Sequence, residues 1–348
     1  MPNITNTLLY YVHHQGAGHI QRAKSLVPVL EEQFSVVFVV ASPDMQVRLQ
    51  HEFGHLPCEC LPSKWADAPP SGERTFDSAF EGVPCTRAAT QRALTFVNLL
   101  SAYEASLFIS DVSAELTILA RGAGVPVVMQ RHSGNTEQDP TQTFAYECAD
   151  ALYAPYPKHI EDPQFAYVDK TRFLGFFSEL SANRQDVVRR GITLVTSSGE
   201  GVDALLPVLE QLQLPIWVVG CDGCDGPITS RVTFLGHVDD ISVHLPTDIV
   251  VCSGGNNLLS ELLLLGKKLI IVPQPRPYDE QDYKSMQLAE HNYAVHMPLP
   301  QISQPAQWQQ ALQQASTIDT SRVSALANPH AAEQFAALIK DLLCLHSR

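Results

Sequence analysis

The feature that most constrains this chain is a series of short apolar runs with no polar alternation, among them LLYYV, SVVFVV, DIVVC and KLIIVP. A strand with one face in water alternates polar and apolar residues. A strand apolar on both faces must be covered on both, which is the condition of a parallel sheet sandwiched between helices. Nine segments read this way: residues 7–12, 34–40, 106–110 and 125–130 in the first half, and 192–197, 215–220, 232–235, 248–252 and 268–273 in the second. Helical patterns lie between them at 19–32, 114–122, 202–212, 256–265 and 281–292. Repeated strand–helix alternation of this kind predicts a doubly wound α/β architecture.

The 348 residues suffice for two such domains of about 150 residues each. The proline- and charge-rich PYPKHIEDPQ and the following FLGFFSELSANRQD precede a fresh strand, GITLVTS, and place the junction between residues 155 and 185. The expected division is an N-terminal Rossmann-like domain over 1–170, a C-terminal one over 171–328, and a closing helix over 329–348.

Composition limits the partners. A formal net charge of -14, with no cluster of Lys and Arg, argues against nucleic acid or an anionic membrane surface. No apolar stretch approaches the roughly 20 residues that span a bilayer, and the first residues do not form a secretory leader. The expectation is a cytoplasmic protein whose cysteines are thiols. Cys221 and Cys224 make a single C-x-x-C. No second pair completes a zinc site, so no metal is expected.

In open parallel sheets, ligands bind beyond the carboxyl ends of the strands, so the segments after each strand carry the chemistry. After the first comes HHQGAGHIQRA, with Gly16, Gly18 and His19. Glycines there allow a tight turn and close backbone approach. His19, in the first turn of the next helix, is placed to act as a neutral general base near pH 7. After residues 106–110 comes DVSAE, in which Asp111 either caps the next helix or orients an imidazole. After residues 125–130 comes RHSGNTEQDP, with Arg131 and His132.

In the second half, SSGEG follows one strand and SGGNN another, each opening a helix. Small residues at two neighbouring helix N-termini can direct hydroxyls and backbone N–H groups at one diphosphate. Glu261 lies one to two turns into the second of these helices, placed to accept hydrogen bonds from a ribose. In PQPRPYDEQDY, Pro273, Pro275 and Pro277 stiffen the loop, and Asp279, Glu280, Gln281 and Asp282 stand at a helix start. Such carboxylates and amides are suited to sugar hydroxyls. N-capping by Asp279 is a competing explanation.

GAGHIQRA, FLGHVDDI and DIVVCSGGNNLLSELLLLGKKLIIVPQPRPYDEQDYKSMQLAE together resemble the MurG-like branch of the GT-B glycosyltransferases, glycosyltransferase family 28. The resemblance implies two Rossmann-like domains facing a cleft, the N-terminal one for the acceptor and the C-terminal one for a UDP-sugar donor. It implies inversion at the anomeric carbon without a bound metal, and no cofactor beyond the UDP-sugar itself. Carried onto this sequence, Ser198, Gly199, Ser253, Gly254, Gly255 and Asn256 hold the diphosphate, and Val238 meets the uracil. Glu261 binds ribose, and Glu280, Gln281 and Asp282 bind the donor sugar. His19 with Asp111 is catalytic, and Gly18, Arg131 and His132 face the acceptor, with the segment 62–86 as its lid. The family's Gln-Gln pair is here Gln281–Asp282. Some nucleotide-sugar hydrolases that resemble this branch share the G-x-G-H-x-x-R pattern of Gly16, Gly18, His19 and Arg22; an epimerase of related fold and a non-catalytic nucleotide-sugar binder are the remaining alternatives. The acceptor is a small molecule, a glycan or a lipid-linked sugar.

Overall fold

The computed structural model describes residues 6–13, 18–66, 82, 84–178, 189–196, 199–238 and 240–346, with the backbone alone at 199 and 200. The chain divides into two compact units. The first comprises residues 1–155, 163–174 and 329–348, and the second 156–162 and 175–328.

The first unit is built on a sheet of parallel strands: β1 (Thr7–Tyr11), β2 (Ser35–Val40), β3 (Cys58–Cys60), β4 (Ala105–Ser110), β5 (Val127–Gln130), β6 (Ala151–Ala154) and β7 (Thr171–Phe173). Their order is β3-β2-β1-β4-β5-β6-β7. Leu8, Leu9 and Tyr10 on β1, and Phe38 and Val39 on β2, have no exposed surface, as expected of strands covered on both faces. The covering helices are α1 (Gly18–Glu31), α2 (Pro43–Glu52), α3 (Arg87–Ala102), α4 (Ala114–Gly122) and α5 (Pro140–Cys148). Helix α1 buries Ile20, Ala23, Leu26, Val27 and Leu30, a single stripe at three- and four-residue spacing.

The second unit repeats the plan with β8 (Ile192–Val195), β9 (Ile216–Val219), β10 (Val232–Phe234), β11 (Ile249–Cys252), β12 (Lys268–Ile271) and β13 (Ala294–His296). All are parallel, in the order β10-β9-β8-β11-β12-β13. Its helices are α6 (Gly199–Leu209), α7 (Asn256–Leu264), α8 (Glu280–Glu290), α9 (Pro305–Ser316) and α10 (Thr320–Ser324). The last helix, α11 (Ala331–His346), belongs to the first unit. It packs on α1, with the Phe335 ring 4.6 Å from that of Tyr153.

Both sheets therefore start in the middle, wind to one edge, and return to the other. The direction reverses between β1 and β4 in the first unit and between β8 and β11 in the second. At such a reversal the two following loops diverge to opposite faces and leave a crevice at the carboxyl ends of the strands. Each sequence-predicted loop with chemical content falls at one of these two points or beside it.

Candidate active site and donor site

At the first reversal, β1 and β4 are hydrogen-bonded neighbours, so the segments that leave them start side by side. The Asp111 amide donates to the Tyr11 carbonyl at 3.2 Å. His19 is the second residue of α1, and Arg22 stands one turn further on the same face. Asp111 is fully buried. One carboxylate oxygen meets His19 Nδ1 at 2.6 Å and the other accepts from Arg22 Nη1 at 2.8 Å. Burial alone would raise the Asp111 pKa, but His19 and Arg22, with a smaller pull from His13, outweigh it and hold the carboxyl at about 2. An ionised carboxylate can only accept, so Nδ1 carries the proton, and in a neutral ring the acceptor is then Nε2.

Asp111 does not cap the following helix. Ser113 does, its hydroxyl accepting from the Leu116 amide, and Asp111 is freed to orient the imidazole. The turn between them is strained. Val112 has φ 65°, a left-handed conformation that a β-branched side chain rarely adopts. Gly18 opens α1, while Gly16 lies outside the described residues.

Arg131 is held within the loop that follows β5. It is 2% exposed, and its guanidinium bonds Thr136 Oγ1, the Gly134 and His132 carbonyls and the Tyr146 hydroxyl, and stacks 3.9 Å from the Phe165 ring centre. These contacts brace its own loop. The His132 amide donates to the same Tyr146 hydroxyl at 3.0 Å. Most of the segment expected as a lid, 67–81 with 83, lies outside the described residues. At its foot Lys64 pairs with buried Glu115 at 3.0 Å, and Arg92 pairs with Glu115 at 3.1 Å.

At the second reversal, Ser198 lies outside the described residues and Gly199 opens α6. After β11, Ser253 and Gly254 lead to Gly255, the N-cap of α7, with Asn256 the first helical residue. No side chain caps this helix, and a Cβ built on Gly255 meets nothing within 4 Å. The first N–H groups of a helix have no partner within it, and the open space at Gly255 adjoins this helix end.

Gly254 is closed off for a different reason. A Cβ there would lie 2.9 Å from Gln281 Cβ and 3.0 Å from the Gln281 carbonyl oxygen. Gln281, 4% exposed, accepts through Oε1 from the Gly254 amide at 3.0 Å and the Gln274 amide at 2.9 Å. One side-chain oxygen thus joins the loop after β11 to the loop after β12, a positioning role that the sequence did not show. Asp279 stands at the N-cap of α8 but in a left-handed conformation, without a capping hydrogen bond, so capping does not account for it. Asp282 is half-exposed on α8, beside Glu280 at the helix start.

Glu261 is half-buried on α7. Burial raises its carboxyl to about 7, and the neighbouring Asp240 carboxylate adds to the rise. Val238 is half-buried in the segment between β10 and the turn capped by Asp240. Lys284 is a residue that sequence reasoning passed over. It is buried, with its ammonium on the Asn256 side-chain oxygen and over the Tyr156 ring. The signal lay in the spacing from Gln281: residues 281, 284, 285 and 288 form the buried face of α8.

Among the described residues no group of three His, Cys, Asp or Glu side chains is arranged to hold a metal. The Cys221 and Cys224 thiols are each directed at a nearby backbone carbonyl. Among the same residues no helix is long and apolar enough to cross a membrane.

Residues 239–342 match the family model described as the glycosyltransferase family 28 C-terminal domain. The C-terminal part of the chain matches this domain. The matched segment contains the Gly254–Gly255 turn, Glu261, and Gln281 with Asp282. The fold of the chain is similar to that of Acinetobacter baumannii MurG, at 15% identity and a TM-score of 0.69 over 96% of this chain and 99% of that one. It is also similar to SsfS6, a glycosyltransferase of Streptomyces sp. SF2575, at 14% identity and a TM-score of 0.66 over 96% and 99%. Spinosyn rhamnosyltransferase SpnG, solved with thymidine diphosphate, aligns at 14% identity and a TM-score of 0.62 over 97% and 99%. No curated protein matches the sequence.

Proposed function

We propose that this protein is a glycosyltransferase that takes its sugar from a nucleoside diphosphate sugar, UDP-linked in the first instance, and transfers it with inversion and without a metal to an acceptor hydroxyl. The observation that carries the reading is the start of α7. The positive end of its dipole adjoins the open space at Gly255, beside the sheet reversal, an arrangement that favours an anion. Gly255 leaves room for a diphosphate to approach the backbone. Glu261, one to two turns along the same helix, is then placed to accept from the ribose, and the backbone near Val238 to meet the base. Ser253, Asn256 and the Ser198–Gly199 turn complete the phosphate contacts.

On the acceptor side, His19 is the general base. Asp111 fixes the Nδ1 proton, so Nε2 takes the proton of the acceptor hydroxyl as its oxygen forms a bond to the anomeric carbon. The bond from that carbon to the diphosphate oxygen breaks in the same step, and the nucleoside diphosphate leaves with the electron pair. Charge building on the leaving group is met by the N–H groups of α7. Gly18 and His132 flank the acceptor in this reading.

Thermal-shift titration with UDP, TDP, GDP and NAD tests the donor site, since a ligand that binds only the folded state raises the midpoint. A rise with UDP or TDP that Glu261→Ala abolishes is expected. A rise with NAD alone, or with none of the four, overturns the proposal.

A further inference from the structure

A group not used above lies beside Asp282. His296 is the last residue of β13 and pairs in register with Ile271 at the end of β12, so its side chain leaves the sheet at the carboxyl edge. Its Nδ1 lies 2.7 Å from the Ser285 hydroxyl, and its Nε2 lies 3.6 Å from Asp282 Oδ1.

The Ser285 hydroxyl decides what His296 offers. Ser285 is fully buried, and its oxygen is also 2.8 Å from the Asp282 backbone carbonyl. A carbonyl oxygen only accepts, so Ser285 donates its one proton there. Nδ1–H must then donate to the Ser285 oxygen, and Nε2 carries a lone pair. Burial draws the His296 pKa below the usual histidine value, against the opposing effect of Asp282. Burial thus favours the neutral ring.

A lone pair thus faces a carboxylate across 3.6 Å. Two acceptors cannot satisfy each other, and the gap exceeds a direct hydrogen bond. The arrangement is completed by hydroxyl donors. We propose that His296 Nε2 and the Asp282 carboxylate form a paired acceptor subsite that reads hydroxyls of the donor sugar. The inference rests on the donor-site reading above and makes His296 a residue that discriminates among nucleotide sugars.

The test is calorimetric titration of the full-length protein and the variants His296→Asn, His296→Gln and Asp282→Asn. The probes are UDP, UDP-glucose, UDP-galactose and UDP-N-acetylglucosamine. Asparagine places its amide where Nδ1 was and keeps a partner for Ser285, but removes the group at Nε2. Glutamine restores an acceptor near Nε2. The expected result is UDP affinity within twofold of native in every variant. At least one UDP-sugar should weaken about tenfold in His296→Asn and Asp282→Asn, the size of one lost charge-assisted or well-placed hydrogen bond, and recover in part in His296→Gln. Affinities for all three sugars that ignore the substitutions, or that fall in parallel with UDP, overturn the subsite while leaving the nucleotide site standing. Failure of the native protein to bind UDP at all removes the donor-site reading and the subsite with it.

Discussion

Asp111 Oδ2 lies 2.6 Å from His19 Nδ1, and the two residues reach each other only because their strands, β1 and β4, are neighbours where the sheet reverses direction. The two residues are 92 apart in sequence and neighbours in the sheet. The contact gives a two-part prediction. His19→Ala removes the proposed base and should lower kcat by about 10²- to 10⁴-fold, with circular dichroism unchanged. Asp111→Asn leaves the ring present but without its orienting carboxylate and should lower kcat through the same step.

The same carboxylate sets an acid limit. Asp111 is held at about 2, below its ordinary value of 3.8. A depressed folded-state pKa contributes stability that is present above the unfolded value and is lost as pH falls through the folded one. A shift of this size amounts to about 2 kcal/mol. Melting curves from pH 5 to pH 2 should show a loss that Asp111→Asn does not share below about pH 4. Parallel curves for the two proteins would remove the assignment.

Glu261 runs the other way. Its carboxyl is raised to about 7, so the stability linked to it is fully present below the unfolded value and is lost as pH rises through 7. Glu261→Gln carries no ionisation penalty. It should match the native midpoint near pH 4 and exceed it by a few degrees at pH 8, while binding UDP more weakly. Native UDP affinity should also rise from pH 6 to pH 8 more steeply than that of the variant. Comparing the two proteins cancels the titration of the phosphate itself.

Gly254 and Gly255 are adjacent and differ in what surrounds them. A methyl at Gly254 meets the Gln281 backbone at 3.0 Å, whereas one at Gly255 meets nothing within 4 Å. Gly254→Ala should therefore destabilise by about 1–3 kcal/mol. Gly255, at φ -67° and ψ 135°, accepts alanine without backbone strain. Gly255→Ala should melt with the native protein yet lose UDP affinity, because its methyl occupies the space assigned to the diphosphate. Unchanged UDP binding in Gly255→Ala would move the phosphate elsewhere.

The sequence was most legible where one physical requirement dominated. Strands buried on both faces carry an unbroken apolar run, and each of the nine expected strands is present, down to Ile249–Cys252 and Lys268–Ile271. Strands β3, β6, β7 and β13 were not legible; runs such as CEC or TRF carry polar or charged residues and lack the unbroken apolar stretch. Helices α2, α3, α5 and α9 were missed because glutamine, threonine and alanine blur their apolar stripe. Site residues followed the same division. His19 and Glu261 stood out by residue type after a strand. The tie from Gln281 to Gly254 and the burial of Arg131 depend on where separate loops meet, which no local pattern encodes.

Val112 is where the fold holds a conformation its sequence disfavours. At φ 65° a β-branched residue loses about 1–2 kcal/mol relative to ordinary backbone. The turn keeps that φ between Asp111, bonded to His19, and Ser113, which caps α4. Both neighbours are fixed by their own hydrogen bonds, so the residue between them absorbs the mismatch. Asparagine tolerates the left-handed region far better than valine. Val112→Asn should therefore raise the melting temperature by roughly 2–4 °C and leave kcat within about twofold, because the turn that aims Asp111 is kept. Val112→Pro, locked near φ -65°, cannot keep the turn and should lose both stability and rate. If Val112→Asn is instead less stable than the native protein, side-chain packing outweighs backbone strain at this turn.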